Sequence, residues 1–514
     1  MINNSRNKYG LTERDMKTLE GIFLKYPEVR EVRLFGSRAK GNFKHGSDID
    51  LAVMDKEIDS KTISNLSFDF EESSLPYTVD VINFSTLKHQ EFIEHIDRVG
   101  IVFYERWKEV KLKDYVNVTN GYAFKSSNFL NNRVTNALPI VKIKNVANGD
   151  VHLDDVQYHL YEPSLSKFLI ERDDILIALT GNHPEVMTQV VGETSHYKLN
   201  EKALLNQRVA KIVSKEGLNK SYLYYFLKDE ATHDALASNS AGSANQANIS
   251  KADIENLSIF LPLLKEQTSI ASILRSLDDK INLLKRQNKT LEQLAETLFR
   301  QWFVEEASED WELTTLENHT EVFRGLSYKG SGLTGINLGI PMHNLNSVCE
   351  GGGYKYEGIK FYSGDYRERH LLNVGDIIIT NTEQGHEHKL IGFPAIIPDF
   401  YGEKGVFSQH IYKLQPLPQT YLSKQFIYYL LMSQSIREQI VAATNGSTVN
   451  MLAIDGLQRP IFKLPLKEKI NTFTLIVKDY WIKKNVNQNQ IRILLQIRDT
   501  LLPKLMSGEV RVIN

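Results

Sequence analysis

Apolar and polar residues alternate along this chain with two different periods, and each period predicts its own kind of element. Short β-branched runs bounded by Gly, Asn and Asp, such as Ile140-Val141-Lys142-Ile143 and Ile377-Ile378-Ile379, predict strands joined by turns. Each mixed stretch leads to an aromatic-rich apolar run that predicts a helix, over 222–228 in one case and 426–432 in the other. The period then lengthens. From Ile270 the apolar positions Leu274, Leu277, Ile281, Leu284, Leu291, Ala295, Leu298 and Trp302 recur at heptad spacing, with Asn288 standing where an apolar residue is expected. A weaker seam runs through Ile470, Phe473, Val477, Tyr480, Ile491, Leu494 and Leu501; Lys484 and Asn487 interrupt it, and Pro503 predicts its end or a kink. About 35 residues at a rise of 1.5 Å make a rod of roughly 50 Å. Two such helices in one chain favour pairing with each other, in antiparallel fashion, over simple core or a seam for a second copy.

The mixed stretches are copies of one another, offset by about 200 residues. Leu138-Pro139-Ile140 and Lys144-Asn145-Val146 match Ile340-Pro341-Met342 and Asn346-Ser347-Val348. Asp174-Ile175-Leu176-Ile177-Ala178 matches Asp376-Ile377-Ile378-Ile379-Thr380, and Asn206-Gln207-Arg208-Val209 matches Ser408-Gln409-His410-Ile411. Tyr224-Tyr225-Phe226-Leu227 and Gly242-Ser243 match Tyr428-Tyr429-Leu430-Leu431 and Gly446-Ser447. Anchors repeating in the same order mark a duplication.

Composition narrows the class. A chain of 514 residues is too long for one core and suggests about three domains. With 42% hydrophobic and 24% charged residues it is ordinary globular protein, neither disordered nor fibrous. The single cysteine, Cys349, excludes an internal disulfide framework and fits a reducing cytoplasm. No run reaches the apolar length of a membrane span and the polar start lacks a signal-peptide core, so a cytoplasmic protein with no membrane partner is expected. A net charge of -2 leaves the question of a polyanionic partner open. His386 and His388 with Glu383 and Glu387 form a weak metal pattern in a polar loop, and Cys349 has no base near it in sequence.

Chemistry concentrates before the repeat. An apolar strand runs through Val32-Arg33-Leu34-Phe35 into Gly36-Ser37-Arg38, and a second presents Asp48 and Asp50 through Ser47-Asp48-Ile49-Asp50-Leu51. Residues two apart on a strand share a face, so both carboxylates offer hard oxygen ligands to Mg²⁺ and, through it, to phosphates. Gly36 permits close backbone approach, while Ser37 at a helix start offers donors to a phosphate. A third strand, Tyr77-Thr78-Val79-Asp80-Val81-Ile82, adds Asp80 as a further metal contact or as a base for the attacking hydroxyl. Arg38 and Lys40 could meet phosphate or offset the acids. The pattern Gly-Ser, a gap, Asp-x-Asp and a later strand acid resembles the minimal nucleotidyltransferase family over roughly residues 10–105. That resemblance implies triphosphate binding by Gly36, Ser37 and Arg38, metal binding and catalysis by Asp48, Asp50 and Asp80, and Mg²⁺ with a nucleoside triphosphate, ATP by preference, as cofactors. It also implies a protein acceptor, as in antitoxins that modify a partner ribonuclease.

The repeat, with its two heptad helices, resembles the specificity subunit of type I restriction-modification enzymes over residues 107–514. The resemblance rests on Trp107-Lys108-Glu109-Val110-Lys111-Leu112, Gly121-Tyr122-Ala123-Phe124-Lys125-Ser126 and Leu261-Pro262-Leu263 leading into Glu266-Gln267. It rests further on Leu298-Phe299-Arg300-Gln301-Trp302-Phe303 and Leu501-Leu502-Pro503-Lys504-Leu505-Met506-Ser507-Gly508-Glu509-Val510. It implies a non-catalytic reader of double-stranded DNA whose two copies each bind half of a split target. Its helices would set the gap between the halves and dock two methyltransferase subunits, joined by a restriction and translocase subunit. No cofactor is implied for this region. Matched loops offer Lys125, Lys142, Lys144 and Asn145 in the first copy and Tyr328, Lys329, His343 and Asn344 in the second as DNA contacts. The expected fold is α+β: a nucleotidyltransferase-like α/β domain over 1–105, recognition domains over 106–262 and 306–465, and antiparallel coiled-coil helices over 263–305 and 466–514. The competing reading is an antitoxin-like protein nucleotidyltransferase whose repeated region binds a protein partner.

Overall fold

A computed structural model describes residues 6–147, 149–181, 191–238, 241–243, 246–336, 338–385, 387–446 and 449–512. His386 of the weak metal pattern and Ser447 of the repeat lie outside the described residues. The fold is α+β, and its contacts divide the chain into two units, Met1–Ser276 with Asp499–Asn514, and Leu277–Arg498.

The first unit opens with a four-stranded sheet of β1 (Glu31–Leu34), β2 (Ile49–Val53), β3 (Val79–Asn83) and β4 (Ile101–Glu105), in the order β3-β2-β1-β4. Helix α1 (Glu13–Leu24) starts at a capping box in which Thr12 and Asp15 satisfy each other's backbone N–H groups. It packs Leu19, Ile22 and Phe23 against Leu34, Leu51, Val53 and Tyr104 of the sheet. Phe23 stacks on Tyr104 with ring centroids 4.7 Å apart. The one-turn helix α2 (Gly36–Ala39) follows β1, α3 (Ser60–Glu71) leads toward β3, and α4 (Gln90–Val99) leads into β4.

Only Arg106 and Trp107 separate β4 from the first strand of the first copy, Lys108–Lys111, which pairs with Ser258–Leu261 from that copy's far end. Between them lie a six-stranded sheet, a four-stranded sheet and a three-stranded sheet. The copy's core gathers Ile175, Ile177, Tyr222, Leu223 and Leu227. It continues without interruption onto Ile270, Ala271 and Leu274 of a central helix, Leu264–Arg300, and onto Leu502, Leu505 and Met506 of a C-terminal helix, Lys467–Ser507. Full burial of each leucine contributes about 1.5–3 kcal/mol relative to exposure, so both helix ends are structural parts of this core.

In the second unit the second copy repeats the plan. Strands Ile340–His343 and Lys404–Phe407 pair in parallel, as Ala137–Val141 and Ala203–Leu205 do in the first copy. Leu313–Thr315 pairs with Ile461–Lys463, closing this copy as the corresponding pair closes the other. Its core takes in Phe299 and Phe303 from the end of the central helix and Ile470, Phe473 and Val477 from the C-terminal helix. The rings of Phe303 and Phe473 meet edge to face at 5.2 Å, and those of Phe303 and Phe426 at 5.0 Å. Within this unit the helices run antiparallel: Asp278 pairs with Arg498, Ile281 and Leu284 with Ile491, Asn288 with Asn487, and Phe299 with Phe473.

Three helix expectations change. The seam after Ala295 buries Phe299 and Phe303, leaving Leu298 and Trp302 half-buried, because spacings of four carried through a π turn at Gln301–Glu305 rotate the apolar face by one position. Pro503 does not end its helix, which continues to Ser507; a proline costs one hydrogen bond there, in a segment already held by Leu502, Leu505 and Met506. The polar interruptions are partnered. Asn487, fully buried, donates to Asn288 Oδ1 at 2.9 Å, and Lys484 forms an ion pair with Glu292. Among the described residues no helix is long and apolar enough to cross a membrane.

Candidate functional site

Backbone pairing builds the acidic site at the end of β1. β1 and β2 are antiparallel with Leu34 opposite Leu51, and Phe35 N–H donates to Asp50 O at 2.9 Å, which brings the turn after β1 onto the start of β2. β2 and β3 are parallel, with Asp50 directly opposite Asp80. Gly36 sits at φ +69°, and a Cβ there would lie 2.0 Å from Asp50 Oδ2. Only glycine leaves this carboxylate its place. Asp50 is half-buried while Asp48 and Asp80 are exposed. Burial first, then the charges of Asp80 and Asp48, raise the Asp50 carboxyl above the usual range, and Arg38 partly opposes them.

The structure therefore brings together Gly36, Asp48, Asp50 and Asp80, but not as a finished cage: among the described residues no three His, Cys, Asp or Glu side chains converge closely enough to hold a metal. The donor set still fits a hard divalent cation. Three carboxylates are close enough for two of them to disfavour charge on the third, and a cation between them relieves that repulsion.

Arg38 departs from its expected role. It is buried, and its guanidinium donates to Ser47 O at 2.6 Å, Asp48 O at 3.0 Å and Tyr9 O at 2.7 Å while lying over the Tyr77 ring. With its donors committed to backbone carbonyls it fixes the segment that carries Asp48 and is not presented to a triphosphate. Ser37 is half-buried, and its carbonyl accepts from Asn42 N–H at 3.2 Å.

The matched loops also sort by exposure. Lys125 and Lys329 are exposed, each at the start of a short 3-10 turn. Lys142 donates to Gln157 at 2.6 Å and lies over Phe129, and Lys144 is paired with Asp155. Asn145 and Asn344 are buried and cap local turns through Lys142 N–H and Asn346 N–H, so neither amide is available to a base edge. His343 is buried against the Tyr354 hydroxyl, and burial lowers its imidazole to about 4. Tyr328 is half-buried against Tyr362. Glu383 of the weak metal pattern is committed elsewhere, its carboxylate accepting from Lys389, Leu390 and Ile391 N–H.

One clamp had no signal in the sequence. Arg511 forms a bidentate pair with Glu266 at 2.6 and 3.1 Å, donates to Glu105 O at 2.7 Å and lies over Trp107, whose indole also donates to Glu266. It ties β4, the central helix and the last residues of the first unit together. A lone arginine near a terminus carries no pattern that reveals such partners.

Residues 104–293 match the type I restriction modification DNA specificity domain family, and residues 17–109 match the polymerase beta nucleotidyltransferase family. The chain is 26% identical to the type I restriction enzyme MjaIX specificity subunit of Methanocaldococcus jannaschii, across 60% of this chain and 73% of that protein. It is 22% identical to the StySPI specificity subunit of Salmonella potsdam, across 79% of this chain and 89% of that protein. Its N-terminal part is 40% identical to a probable protein adenylyltransferase, MntA, of Haemophilus influenzae, across 15% of this chain and 68% of that protein.

Proposed function

The chain belongs to the type I restriction-modification specificity-subunit family and carries an N-terminal nucleotidyltransferase domain, and from this premise we propose that it reads a bipartite duplex DNA target for a cytoplasmic modification and restriction assembly. The observation that supports this most directly is the duplication itself: two copies with the same strand pairings, each with its core continuing onto the helix pair. One reader per half-site follows from it. Docking of methyltransferase subunits is favoured by a second apolar stripe on the C-terminal helix. Leu475, Ile482, Val486, Ile493 and Ile497 are exposed at alternating intervals of seven and four, on a helix whose other seam is already filled. A restriction and translocase subunit completes the assembly.

In the N-terminal domain the turn at Gly36 and Ser37 would receive the triphosphate and Asp48 and Asp50 would hold Mg²⁺. Asp80, exposed on the neighbouring strand, takes up the proton of an acceptor hydroxyl as its oxygen bonds to the α-phosphorus and the α–β phosphoanhydride bond breaks, releasing pyrophosphate. Mg²⁺, when bound, neutralises phosphate charge. The acceptor is a hydroxyl of a partner protein.

Mapping modified bases in cellular DNA tests the reading: a split motif is expected that disappears when this chain is deleted. Its persistence overturns the assignment. Incubating the full chain with labelled ATP and co-purifying proteins tests the second activity, and labelling no greater than that of an Asp48→Ala, Asp50→Ala variant shows the domain to be inert toward them. Labelling of a small ribonuclease with no split motif in DNA favours the antitoxin-like reading instead.

A further inference from the structure

Each copy presents the same tight turn between two core strands. In the first, Ala203–Leu205 and Val209–Ser214 are joined through Asn206-Gln207-Arg208; in the second, Lys404–Phe407 and Ile411–Pro416 are joined through Ser408-Gln409-His410. Matched hydrogen bonds hold both backbones. Gln207 N–H donates to Tyr122 O and Gln409 N–H to Leu326 O, each at 3.0 Å. Arg208 O accepts from Leu179 N–H at 2.9 Å, and His410 O from Asn381 N–H at 3.2 Å. Asn206 N–H donates to Val141 O and Ser408 N–H to His343 O, at 3.1 and 2.9 Å. The adjoining loop fits only because Gly121 and Gly325 lack a side chain: a Cβ would lie 2.1 Å from Asn206 O and 2.0 Å from Ser408 O.

Yet Gln207, Arg208, Gln409 and His410 all expose their side chains. Glutamine is not a residue that turn geometry selects, so the paired glutamines have no account in the backbone. Their backbones are fixed while their polar ends face outward, the condition for reading a ligand without a large ordering cost.

We propose that these four side chains read base edges, an inference that rests on the DNA-reading function above. A glutamine amide matches N6 and N7 of adenine, and an arginine fork matches O6 and N7 of guanine. Gln207 and Gln409 each read an adenine, one per half-site, and Arg208 reads a guanine at a neighbouring pair of the first. His410, whose Nδ1 lies 3.3 Å from Thr382 Oγ1 and whose Nε2 lies 3.4 Å from the Gln409 amide nitrogen, presents a ring nitrogen in place of a fork once that contact is exchanged for the base, and reads the equivalent position of the second half less sharply.

The full chain is incubated with duplexes carrying two randomised blocks at varied spacing, and the bound DNA is sequenced. Wild type is expected to enrich a split motif with an A·T pair in each half. Gln207→Ala lowers the preference at that pair about 5- to 150-fold, the range one bidentate contact provides, and leaves the second half unchanged. Gln409→Ala does the reverse, and Arg208→Ala relaxes a G·C pair in the first half only. Gln207→Glu, which keeps the shape but loses the donor, is expected to behave as Gln207→Ala with unchanged melting. If wild type enriches no split motif, the DNA-reading function fails and this inference with it. If wild type does so and the variants keep every preference, or lose affinity uniformly as a phosphate contact would, the turn assignment alone is overturned.

Discussion

Gly36 and Arg38 stand two positions apart in one motif and serve opposite ends. Gly36 is defined by a missing atom, since its φ of +69° and the 2.0 Å approach to Asp50 Oδ2 exclude any side chain. Gly36→Ala is therefore expected to cost more than about 1 kcal/mol of stability and to displace Asp50. Nucleotide transfer should fall to the level of Asp50→Ala, read by labelling alongside thermal melting. That Gly36, Asp48, Asp50 and Asp80 come together was legible in the sequence because each sits at an end or on a face of a short strand marked by its own alternation. The fates of Arg38, Asn145, His343 and Asn344 were not, because what buries Arg38 comes from Tyr9 and Tyr77, and what buries His343 includes Tyr354. His343 also sets a pH dependence. The folded protein holds its imidazole at about 4 against an ordinary 6.5, so the unfolded chain binds the proton first as pH falls. Its contribution is fully present above pH 6.5 and is lost between there and about 4, by about 3 kcal/mol. Denaturant midpoints followed across that window should slope for wild type and slope less for His343→Gln, the remainder coming from other shifted groups such as His196 and His319.

At the scale of elements the heptad spacing predicted both long helices and marked Asn288, Lys484 and Asn487 as breaks, and the presence of two such helices in one chain favoured their antiparallel pairing. What pattern alone could not give is that the breaks answer one another, because facing positions follow from register across more than 190 intervening residues. The Asn288–Asn487 bond is part-buried, and among the described residues Asn487 Oδ1 has no partner of its own. Asn487→Leu alone is expected to destabilise by about 1 kcal/mol by leaving the half-buried Asn288 Oδ1 without its donor, while Asn288 Nδ2 keeps Lys484 O. Asn288→Leu with Asn487→Leu should recover that loss, because an apolar pair leaves nothing unsatisfied, while relaxing the register that the amides specify. Urea denaturation of both single variants and the double variant closes the cycle, and additive losses would show that the two amides are not coupled.

Over the whole molecule, the duplication foretold two similar halves but not how chain segments are shared out. Residues 499–514 belong to the same unit as the N-terminal domain and the first copy, and Arg511 fastens them to Glu105, Trp107 and Glu266. Nothing in a local sequence window encodes that return. Arg511→Ala is expected to speed tryptic cleavage at Arg106 and Lys108 several-fold while leaving cleavage within Leu277–Arg498 unchanged. Equal rates would show that the stretch is held by other means.

The same sharing has a consequence during synthesis. Ile270, Ala271 and Leu274 emerge from the ribosome roughly 230 residues ahead of Leu502, Leu505 and Met506, which cover them in the finished protein. At about 5–20 residues per second the side of that strip not already packed on the first copy waits roughly 10 to 50 s for its cover in every nascent chain. Production of this protein therefore depends on whatever shields newly made polypeptide from aggregation for that interval.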